Sequence, residues 1–307
     1  MLITICIPCF NSSRTIEEVV NSIRNEITCH NDDYQIILVN DGSYDNCFEV
    51  ISKMCEKDKN IVGVDLSKNF GQTHAKLCGM KYLKGSFIIF MDDDGQHDAK
   101  DIYKFVDKIN EGYDVVYGKA LNKKHTLLKN ITSSLSHFIQ EKIGNNPKGV
   151  SPSAFSAYSK LVVDNLLEYK SPFVAIGPFS LSVTTKFANV DINHKERIRG
   201  SSGYTLKKLL TAWFEIMYSF SMVPLRLATF LGLIFSFSGF ITAFVFLVLK
   251  LTRNTMLPGF TSTIIVLLIM SGVILVILGI LGEYIGRMYM ILCGMKQYCE
   301  RKVINAN

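Results

Sequence analysis

Charged residues are missing from two long stretches of this 307-residue sequence. Residues 227–249 and 259–282 are mostly apolar, and at 1.5 Å per helical residue each is long enough to cross the hydrocarbon core of a bilayer. Most of the charged residues precede them, so charged and apolar regions are segregated along the chain. This pattern excludes a wholly soluble enzyme. Two spans are also too few to enclose a substrate path, which excludes a transporter.

The sequence also lacks the pattern of a secretory signal, because the apolar run at residues 2–7 has no basic segment before it and ends at Pro8. Six of the eight cysteines lie within the first 78 residues, inside apolar or helical patterns. We therefore expect a reducing compartment rather than a disulfide-bonded, secreted protein. Cys6 and Cys9 have the spacing of a metal or redox pair, but no second pair or nearby histidine completes a zinc set, so structural packing is favoured.

The net charge of +6 does not form a basic stripe with interleaved aromatic residues, so nucleic acid is not an expected partner. Anionic lipid head groups and phosphorylated substrates are favoured instead. Basic residues precede the first apolar stretch and follow the second, namely Lys207, Lys208, Arg226, Arg287, Lys296, Arg301 and Lys302. Only Lys250 and Arg253 lie in the short connection. The positive-inside rule then predicts a multi-pass protein of the plasma (inner) membrane with both termini in the cytoplasm.

Residues 205–222 place apolar side chains at helical spacing, with lysines off that stripe. We expect an amphipathic helix in the membrane interface, and a core-facing helix of the soluble domain is the alternative. The predicted boundaries are a cytoplasmic domain at 1–204, a juxtamembrane helix at 205–226, membrane helices at 227–249 and 259–282, and a cytoplasmic tail at 283–307.

Strand-length apolar runs alternate with helical patterns through the first 118 residues. The predicted strands are Leu2–Ile7, Gln35–Asn40, Ile61–Leu66, Phe87–Met91 and Asp114–Tyr117, and the predicted helices are 14–28, 44–57, 72–84 and 99–110. Continuous apolar runs are typical of buried parallel strands, so the fold class is α/β with a doubly wound, mostly parallel sheet. Ligands of such sheets bind beyond the carboxyl ends of the strands.

Three adjacent carboxylates, Asp92 to Asp94, directly follow the predicted strand at residues 87–91. They would repel one another without a cation, and a divalent metal is the natural partner. In extended geometry Asp92 and Asp94 point the same way, so a metal held there would bridge the two phosphates of a nucleoside diphosphate. The alternative is a polar helix start with solvated carboxylates. Asp41 and Gly42 follow another strand, where an ordinary turn is the alternative to contact with a base or ribose.

Several ordered motifs together resemble the family 2 glycosyltransferases of the GT-A fold, and more closely the polyprenyl-phosphate glycosyltransferases. The motifs are Ile7–Asn11, Val39–Asp45, Leu66–Gly71, Met91–His97, Gly112–Gly118, a His194-x-x-Arg197-x-x-Gly200-x-Ser202-x-Tyr204 pattern, Pro224–Arg226 entering the first apolar stretch and Gly282–Arg287 leaving the second. This subgroup includes dolichol-phosphate mannose synthases, bactoprenol glucosyltransferases and undecaprenyl-phosphate aminoarabinose transferases. The resemblance covers almost the whole chain.

The resemblance implies a role for particular residues. Those expected to hold the nucleotide are Pro8, Phe10, Asn11 and Asp41, while Asp92 and Asp94 are expected to bind Mg²⁺ or Mn²⁺ with the donor diphosphate. Gln96 would lie near the sugar, and Arg197, with Arg199 beside it, would clamp the donor phosphate or sugar. The catalytic set is therefore Asp94, Gln96 and Arg197. Relatives of this architecture also imply a homo-oligomer packed through its membrane helices.

Two departures from the family pattern stand out. Relatives carry an Asp-Phe-Arg-Leu segment whose Asp is the proposed base, and the aligned stretch here is Ala154–Ala157, which has neither the Asp nor the Arg. The aminoarabinose-type subgroup lacks that Asp as well. A Gly-x-Arg after the fifth strand is replaced by Gly118–Ala120. Acceptor phosphate binding then falls to lysines of a predicted mobile loop at 119–150, namely Lys119, Lys123, Lys124 or Lys129, with solvated loop lysines as the alternative.

The implied reaction moves a sugar from a nucleotide-sugar, with UDP favoured over GDP or dTDP, to a polyprenyl phosphate. A phosphate monoester is largely dianionic at neutral pH, so its oxygen needs no strong base. One alternative is an inactive nucleotide-sugar-binding membrane scaffold. A processive polysaccharide synthase is disfavoured because no Gln-x-x-Arg-Trp segment is present, and a dehydrogenase because no Gly-x-Gly-x-x-Gly follows the first strand.

Overall fold

A computed structural model describes residues 1–120, 149–150, 152–193, 223–253 and 259–306. The chain divides into two compact units. The first contains residues 1–204 together with the C-terminal segment 294–307, and the second contains residues 205–293.

An eight-stranded sheet runs through the first unit. Its strands are β1 (Leu2–Cys9), β2 (Asp33–Asn40), β3 (Ile61–Leu66), β4 (Phe87–Phe90), β5 (Val115–Ala120), β6 (Ser156–Ser159), β7 (Phe187–Ile192) and β8 (Glu300–Ile304). Their spatial order is β7-β5-β6-β4-β1-β2-β3-β8, in which β6 and β8 run antiparallel to their neighbours and the other pairs are parallel. The predicted α/β class with a mostly parallel sheet is confirmed.

Helices cover both faces of this sheet. They are α1 (Ile16–Cys29), α2 (Cys47–Lys57), α3 (Gln72–Met80), α4 (Ile102–Asn110), α5 (Lys160–Glu168) and α6 (Ile176–Val183). One apolar core joins the sheet to α1, α2 and α4, and a second core joins its other face to α3, α5 and α6. The central strands are buried on both faces, which explains their continuous apolar sequences.

Each strand and helix predicted in the first 118 residues is found, with ends shifted by a few residues. One boundary was wrong: β5 continues to Ala120, so Lys119 lies in a strand opposite Asp191 of β7 and not in a loop. The rest of the predicted loop up to residue 148, and the predicted amphipathic helix at 205–222, lie outside the described residues.

The C-terminal segment differs from the predicted tail, because residues 300–304 form β8 at the edge of the sheet. β8 pairs antiparallel with β3, placing Val303 opposite Val64. Asn305 follows with a left-handed φ of +58° and donates hydrogen bonds to the carbonyl oxygens of Cys55 (2.6 Å) and Ile61 (2.9 Å). The end of the chain is therefore part of the first unit.

The second unit contains two long helices, α7 (Val223–Arg253) and α8 (Phe260–Leu292), which pack against each other. Within the described residues, one stretch is long and apolar enough to cross a membrane, Ile269–Leu292 in α8. A shorter apolar stretch, Ala228–Ile241, lies in α7. Large apolar side chains on both helices are exposed, including Phe237, Phe240, Leu275 and Val276. Such surfaces are characteristic of a membrane or protein contact.

Candidate active site at the carboxyl edge of the sheet

The loops after β1, β2 and β4 meet at the carboxyl edge of the sheet. The Phe10 N–H donates to Asp93 Oδ2 at 3.0 Å, which joins the loop after β1 to the loop after β4. The Asn11 N–H donates to Ser43 Oγ at 3.0 Å, which joins β1 to β2. Because the strand order reverses between β4 and β1, this edge is where a doubly wound sheet binds its ligand. The predicted nucleotide-binding segments are thus adjacent.

Two of the predicted nucleotide-binding residues, Pro8 and Asp41, are buried at this edge. Pro8 is buried within β1, and Asp41 is buried at the end of β2. Both Asp41 carboxylate oxygens accept backbone N–H groups, from Phe70 at 2.7 Å and from Gly71 at 2.9 Å. Burial raises the pKa of Asp41, and these two hydrogen bonds oppose that shift. The carboxylate therefore fixes the loop that leads into α3.

Two aromatic rings stand exposed at the same edge. Phe10 is 42% exposed and Tyr44 is 89% exposed, and their rings meet edge-to-face with centroids 6.1 Å apart. Asn11 holds a left-handed φ of +56°, and its Oδ1 accepts the Tyr44 N–H at 2.9 Å. Exposed aromatic rings of this kind form a surface on which a nucleobase can stack. Tyr44 was not singled out from the sequence, where it stands in an ordinary turn.

Gly42 is required where the β2 loop passes the loop after β3. Its φ is +62°, and a Cβ added there would lie 2.4 Å from the carbonyl carbon of Lys68. Gly294 has a nearly equal positive φ, +65°, but a Cβ there would meet nothing within 4 Å. Comparing the two glycines therefore distinguishes the cost of backbone strain from the cost of a steric clash.

We expect Gly42→Ala to destabilise the first unit by about 2 kcal/mol or more, since a left-handed alanine costs roughly 1–2 kcal/mol and the clash adds to it. Gly294→Ala, which carries the strain alone, is the matched control and is expected to lose less. The measurement is thermal unfolding of the full chain in detergent, followed with a dye that fluoresces on reaching buried thiols. Equal shifts of the two midpoints would contradict the close approach at Gly42.

The three carboxylates after β4 have different surroundings. Asp93 accepts the Phe10 N–H, and burial raises its pKa while that hydrogen bond opposes the shift. Asp92 Oδ1 accepts from Gln72 Nε2 at 2.7 Å, and Asp94 Oδ1 accepts the Gln96 N–H at 3.1 Å. The predicted extended backbone was wrong, because Asp93 and Asp94 lie in a turn that Gly95 completes with a φ of +72°.

His97 lies directly against Asp92. Its Nδ1 accepts the Asp92 N–H at 3.1 Å, and its Nε2 is 3.9 Å from Asp92 Oδ2. The ring is buried and stacks on Phe155 with centroids 4.7 Å apart. Sequence reasoning missed both contacts of Asp92, because Gln72 lies 20 residues earlier on α3 and the approach of His97 depends on the turn at residues 93–95.

The chemistry of these carboxylates suits a divalent ion that arrives with a substrate. Within the described ranges, no group of three or more His, Cys, Asp or Glu side chains is arranged to hold a metal ion by itself. Mg²⁺ typically keeps several waters and binds through one or two carboxylates together with substrate phosphates. Asp92 and Asp94 fit that donor set, whereas a complete protein cage does not form from the residues described.

The stretch with the missing aspartate and arginine lies beside this acidic loop. Phe155 is fully buried between His97 and Phe105, whose ring centroid is 4.3 Å away. The carbonyl oxygen of Ala154 accepts a hydrogen bond from Lys76 Nζ at 3.0 Å. Lys76, on α3, was not identified from the sequence.

The remaining predicted residues are placed as follows. Lys119 is exposed on β5. Arg197, Arg199 and Lys129, like Lys123 and Lys124, lie outside the described residues. Cys6 and Cys9 are buried and free, and burial raises the pKa of the Cys6 thiol to about 12, which favours packing over metal or redox chemistry there.

Comparison with known proteins identifies relatives of this chain. The model of the family described as Glycosyl transferase family 2 matches residues 4–167. A Bacillus subtilis protein named as the uncharacterized glycosyltransferase YkcC is 32% identical over 93% of this chain and 89% of its own length. The undecaprenyl-phosphate 4-deoxy-4-formamido-L-arabinose transferase of Photorhabdus laumondii is 27% identical over 99% of this chain and 95% of its own.

A solved structure shares the fold of this chain. The glucosyl-3-phosphoglycerate synthase of Mycobacterium tuberculosis, crystallised with Mn²⁺, UDP-glucose and phosphoglyceric acid, superposes with a TM-score of 0.52. The match is 16% identical and covers 71% of this chain and 77% of the synthase.

Proposed function

The chain belongs to glycosyl transferase family 2, and from that membership we propose that it transfers a sugar from a nucleoside diphosphate to a polyprenyl phosphate at a membrane surface. One observation carries the proposal. Asp92 and Asp94 follow a central strand at the edge where the loops after β1 and β2 converge, so carboxylates able to hold a metal with a diphosphate lie next to the loops that carry the exposed Phe10 and Tyr44 rings. Relatives named for transfer to undecaprenyl phosphate align over nearly the whole chain, which supports that acceptor class.

The roles of the residues follow from their positions. The rings of Phe10 and Tyr44 offer a stacking surface for the base, with the Tyr44 N–H held by Asn11 and the Phe10 N–H held by Asp93. Asp92 and Asp94 would hold Mg²⁺ or Mn²⁺, which when bound would neutralise charge on the leaving diphosphate. Gln72 orients the Asp92 carboxylate, and His97 accepts the Asp92 backbone N–H. The backbone N–H of Gln96 is bonded to Asp94, and we propose that the Gln96 side chain contacts the sugar.

The reaction is a single in-line displacement. A phosphate oxygen of the acceptor forms a bond to the anomeric carbon while the bond to the nucleoside diphosphate breaks, so the configuration inverts. Ala154 leaves the usual position of a base without a carboxylate, but a dianionic phosphate has no proton to lose before attack. We therefore propose that catalysis rests on electrostatic stabilisation of the leaving group and on positioning of the acceptor, with Arg197, Arg199, Lys119 and Lys129 as candidate phosphate contacts.

A donor screen tests this function. Membranes that contain the full chain and undecaprenyl phosphate would be supplied in turn with UDP-, GDP- and dTDP-sugars, and lipid-linked sugar would be detected by mass spectrometry. We expect product with one nucleotide class, UDP in our proposal. Nucleotide-sugar binding without any lipid-linked product would favour an inactive scaffold instead.

The strand pairing also supports an even number of membrane crossings. Residues before 205 and after 293 fold into one unit, since β8 completes the sheet next to β3. Both ends of the intervening segment must therefore lie on the same side of a bilayer. If α8 crosses the bilayer, a second crossing has to precede it, and α7 is the long helix in that position. We propose that both helices span the membrane and that the first unit is cytoplasmic.

We expect an epitope inserted at residues 254–258 to be cleaved by protease added to intact cells, and an epitope placed after Asn307 to be protected. Permeabilised cells, in which both epitopes are cleaved, provide the control. A C-terminal epitope accessible from outside would contradict the paired crossing.

A further inference from the structure

Lys76 is a buried cation that the proposed reaction does not use. It is 9% exposed and is the one lysine or arginine that counts as buried in the part of the chain that the structure describes. The positions around it on α3 are also buried, among them Ala75, Leu77 and Cys78. An apolar side chain would pack there without the cost of removing an ammonium group from water, which is several kcal/mol. A lysine at this position therefore needs a function that offsets the cost of burying its charge.

The contacts of Lys76 connect three parts of the site. Its Nζ donates to the carbonyl oxygen of Ala154 at 3.0 Å and lies 5.2 Å from the centroid of the Phe90 ring at the end of β4. No carboxylate lies within 4.0 Å of this ammonium among the described residues. Gln72, one helical turn before Lys76 on α3, donates to Asp92 Oδ1 at 2.7 Å, so this face of the helix lies against the acidic loop. Burial lowers the pKa of Lys76, and the charge of Asp92 opposes that lowering.

We propose that Lys76 is a positioning residue that acts through Asp92, as an internal counter-charge of the acidic loop. Its charge offsets the repulsion among the three carboxylates before a metal binds, and its ammonium group donates a hydrogen bond to the Ala154 carbonyl oxygen. Residues 154–156 have no basic side chain of their own, since Ala154 and Ser156 stand where the family pattern has an Asp and an Arg. The basic charge beside this segment is supplied by Lys76 of α3. This inference rests on the proposed metal role of Asp92 and Asp94.

The sign of the expected effect distinguishes this role from simple packing. A fixed cation next to Asp92 repels a divalent ion, so Lys76→Met should bind Mn²⁺ more tightly, by about three- to tenfold. Lys76→Arg keeps the charge and should restore the wild-type affinity. Turnover of Lys76→Met should fall even at saturating metal, because the Ala154 carbonyl loses its donor. A purely structural lysine would instead lower the unfolding midpoint and weaken metal binding together.

The experiment titrates the full-length protein in detergent with Mn²⁺, first alone and then with UDP present to supply the phosphates, and measures free Mn²⁺ by electron paramagnetic resonance against a UDP blank. Lys81→Met is the matched control, because Lys81 follows the same helix but is exposed and bonded to Glu300. It should leave the Mn²⁺ affinity unchanged. Thermal unfolding of each variant reports on the fold.

Tighter Mn²⁺ binding by Lys76→Met, restored by Lys76→Arg, supports the counter-charge. Unchanged or weaker binding by Lys76→Met overturns it, as does a wild-type protein that takes up no Mn²⁺ even with UDP present. A wild-type protein that binds Mn²⁺ with the expected Lys76 response, but makes no lipid-linked sugar from any donor, overturns the proposed transfer and leaves the counter-charge standing.

Discussion

Asp94→Ala is expected to lower the rate of sugar transfer by about 10³-fold while the protein keeps its unfolding midpoint. The loss follows from the proposed role of the carboxylate, since removing a group that stabilises charge on the leaving diphosphate costs roughly 3–4 kcal/mol of transition-state stabilisation. The fold should survive because Asp94 lies in a turn of the loop after β4 and is not part of either apolar core. The measurement is turnover in membranes containing undecaprenyl phosphate and the active donor.

Two further variants make that result specific. Asp107→Ala removes an exposed carboxylate from α4, outside the carboxyl-edge loops, and is expected to leave turnover unchanged. Asp94→Asn keeps the shape of the side chain and is expected to lose nearly as much activity as alanine, because the charge is what binds the metal. If Asp94→Ala still turned over in metal-depleted membranes, the metal role of this loop would be wrong.

The sequence predicted the framework of the site because its signals are local. Apolar runs predicted β1 to β5, and the polar residues that end these strands had to share one edge once the strands were parallel. The structure places Phe10, Asp41 and Asp92 at that one edge. The direction of each carboxylate was not predictable in this way, since it depends on the turn that Gly95 completes and on the Phe10 N–H that holds Asp93.

The contacts missed from the sequence depend on distant segments. Gln72 reaches Asp92, and Lys76 reaches the Ala154 carbonyl, from α3, a helix whose position is set by packing, and their spacing from these partners along the chain carries no signal. β6 has the sequence Ser-Ala-Tyr-Ser and β8 the sequence Glu-Arg-Lys-Val-Ile, and neither shows a strong apolar alternation. Their strand geometry comes from pairing with β4 and β3, which tertiary structure supplies.

Deleting residues 300–307 is expected to produce the largest loss of stability among these predictions. The deletion removes the ladder that covers the edge of β3, the packing of Val303 in the second core, and the hydrogen bonds that Asn305 donates to the end of α2 and the start of β3. At about 1 kcal/mol for each net hydrogen bond, plus the half-buried Val303, the loss is about 5 kcal/mol or more, which corresponds to a fall of at least roughly 10 °C in the unfolding midpoint.

The loss should extend to activity, because β3 supports the edge where the donor is proposed to bind. Asp65 on β3 accepts from Asn40 at 2.7 Å, and Asn40 in turn accepts from Ser43 in the loop that holds Asn11. Deleting only residues 306–307, beyond Asn305, is the matched control and should have no effect. Should the longer deletion fail to accumulate, Asn305→Ala tests the same support with a smaller expected fall of about 2 kcal/mol. Wild-type midpoints for both variants would show that the returning strand is dispensable, and would remove the structural basis for placing both ends of the helical segment on one side of the membrane.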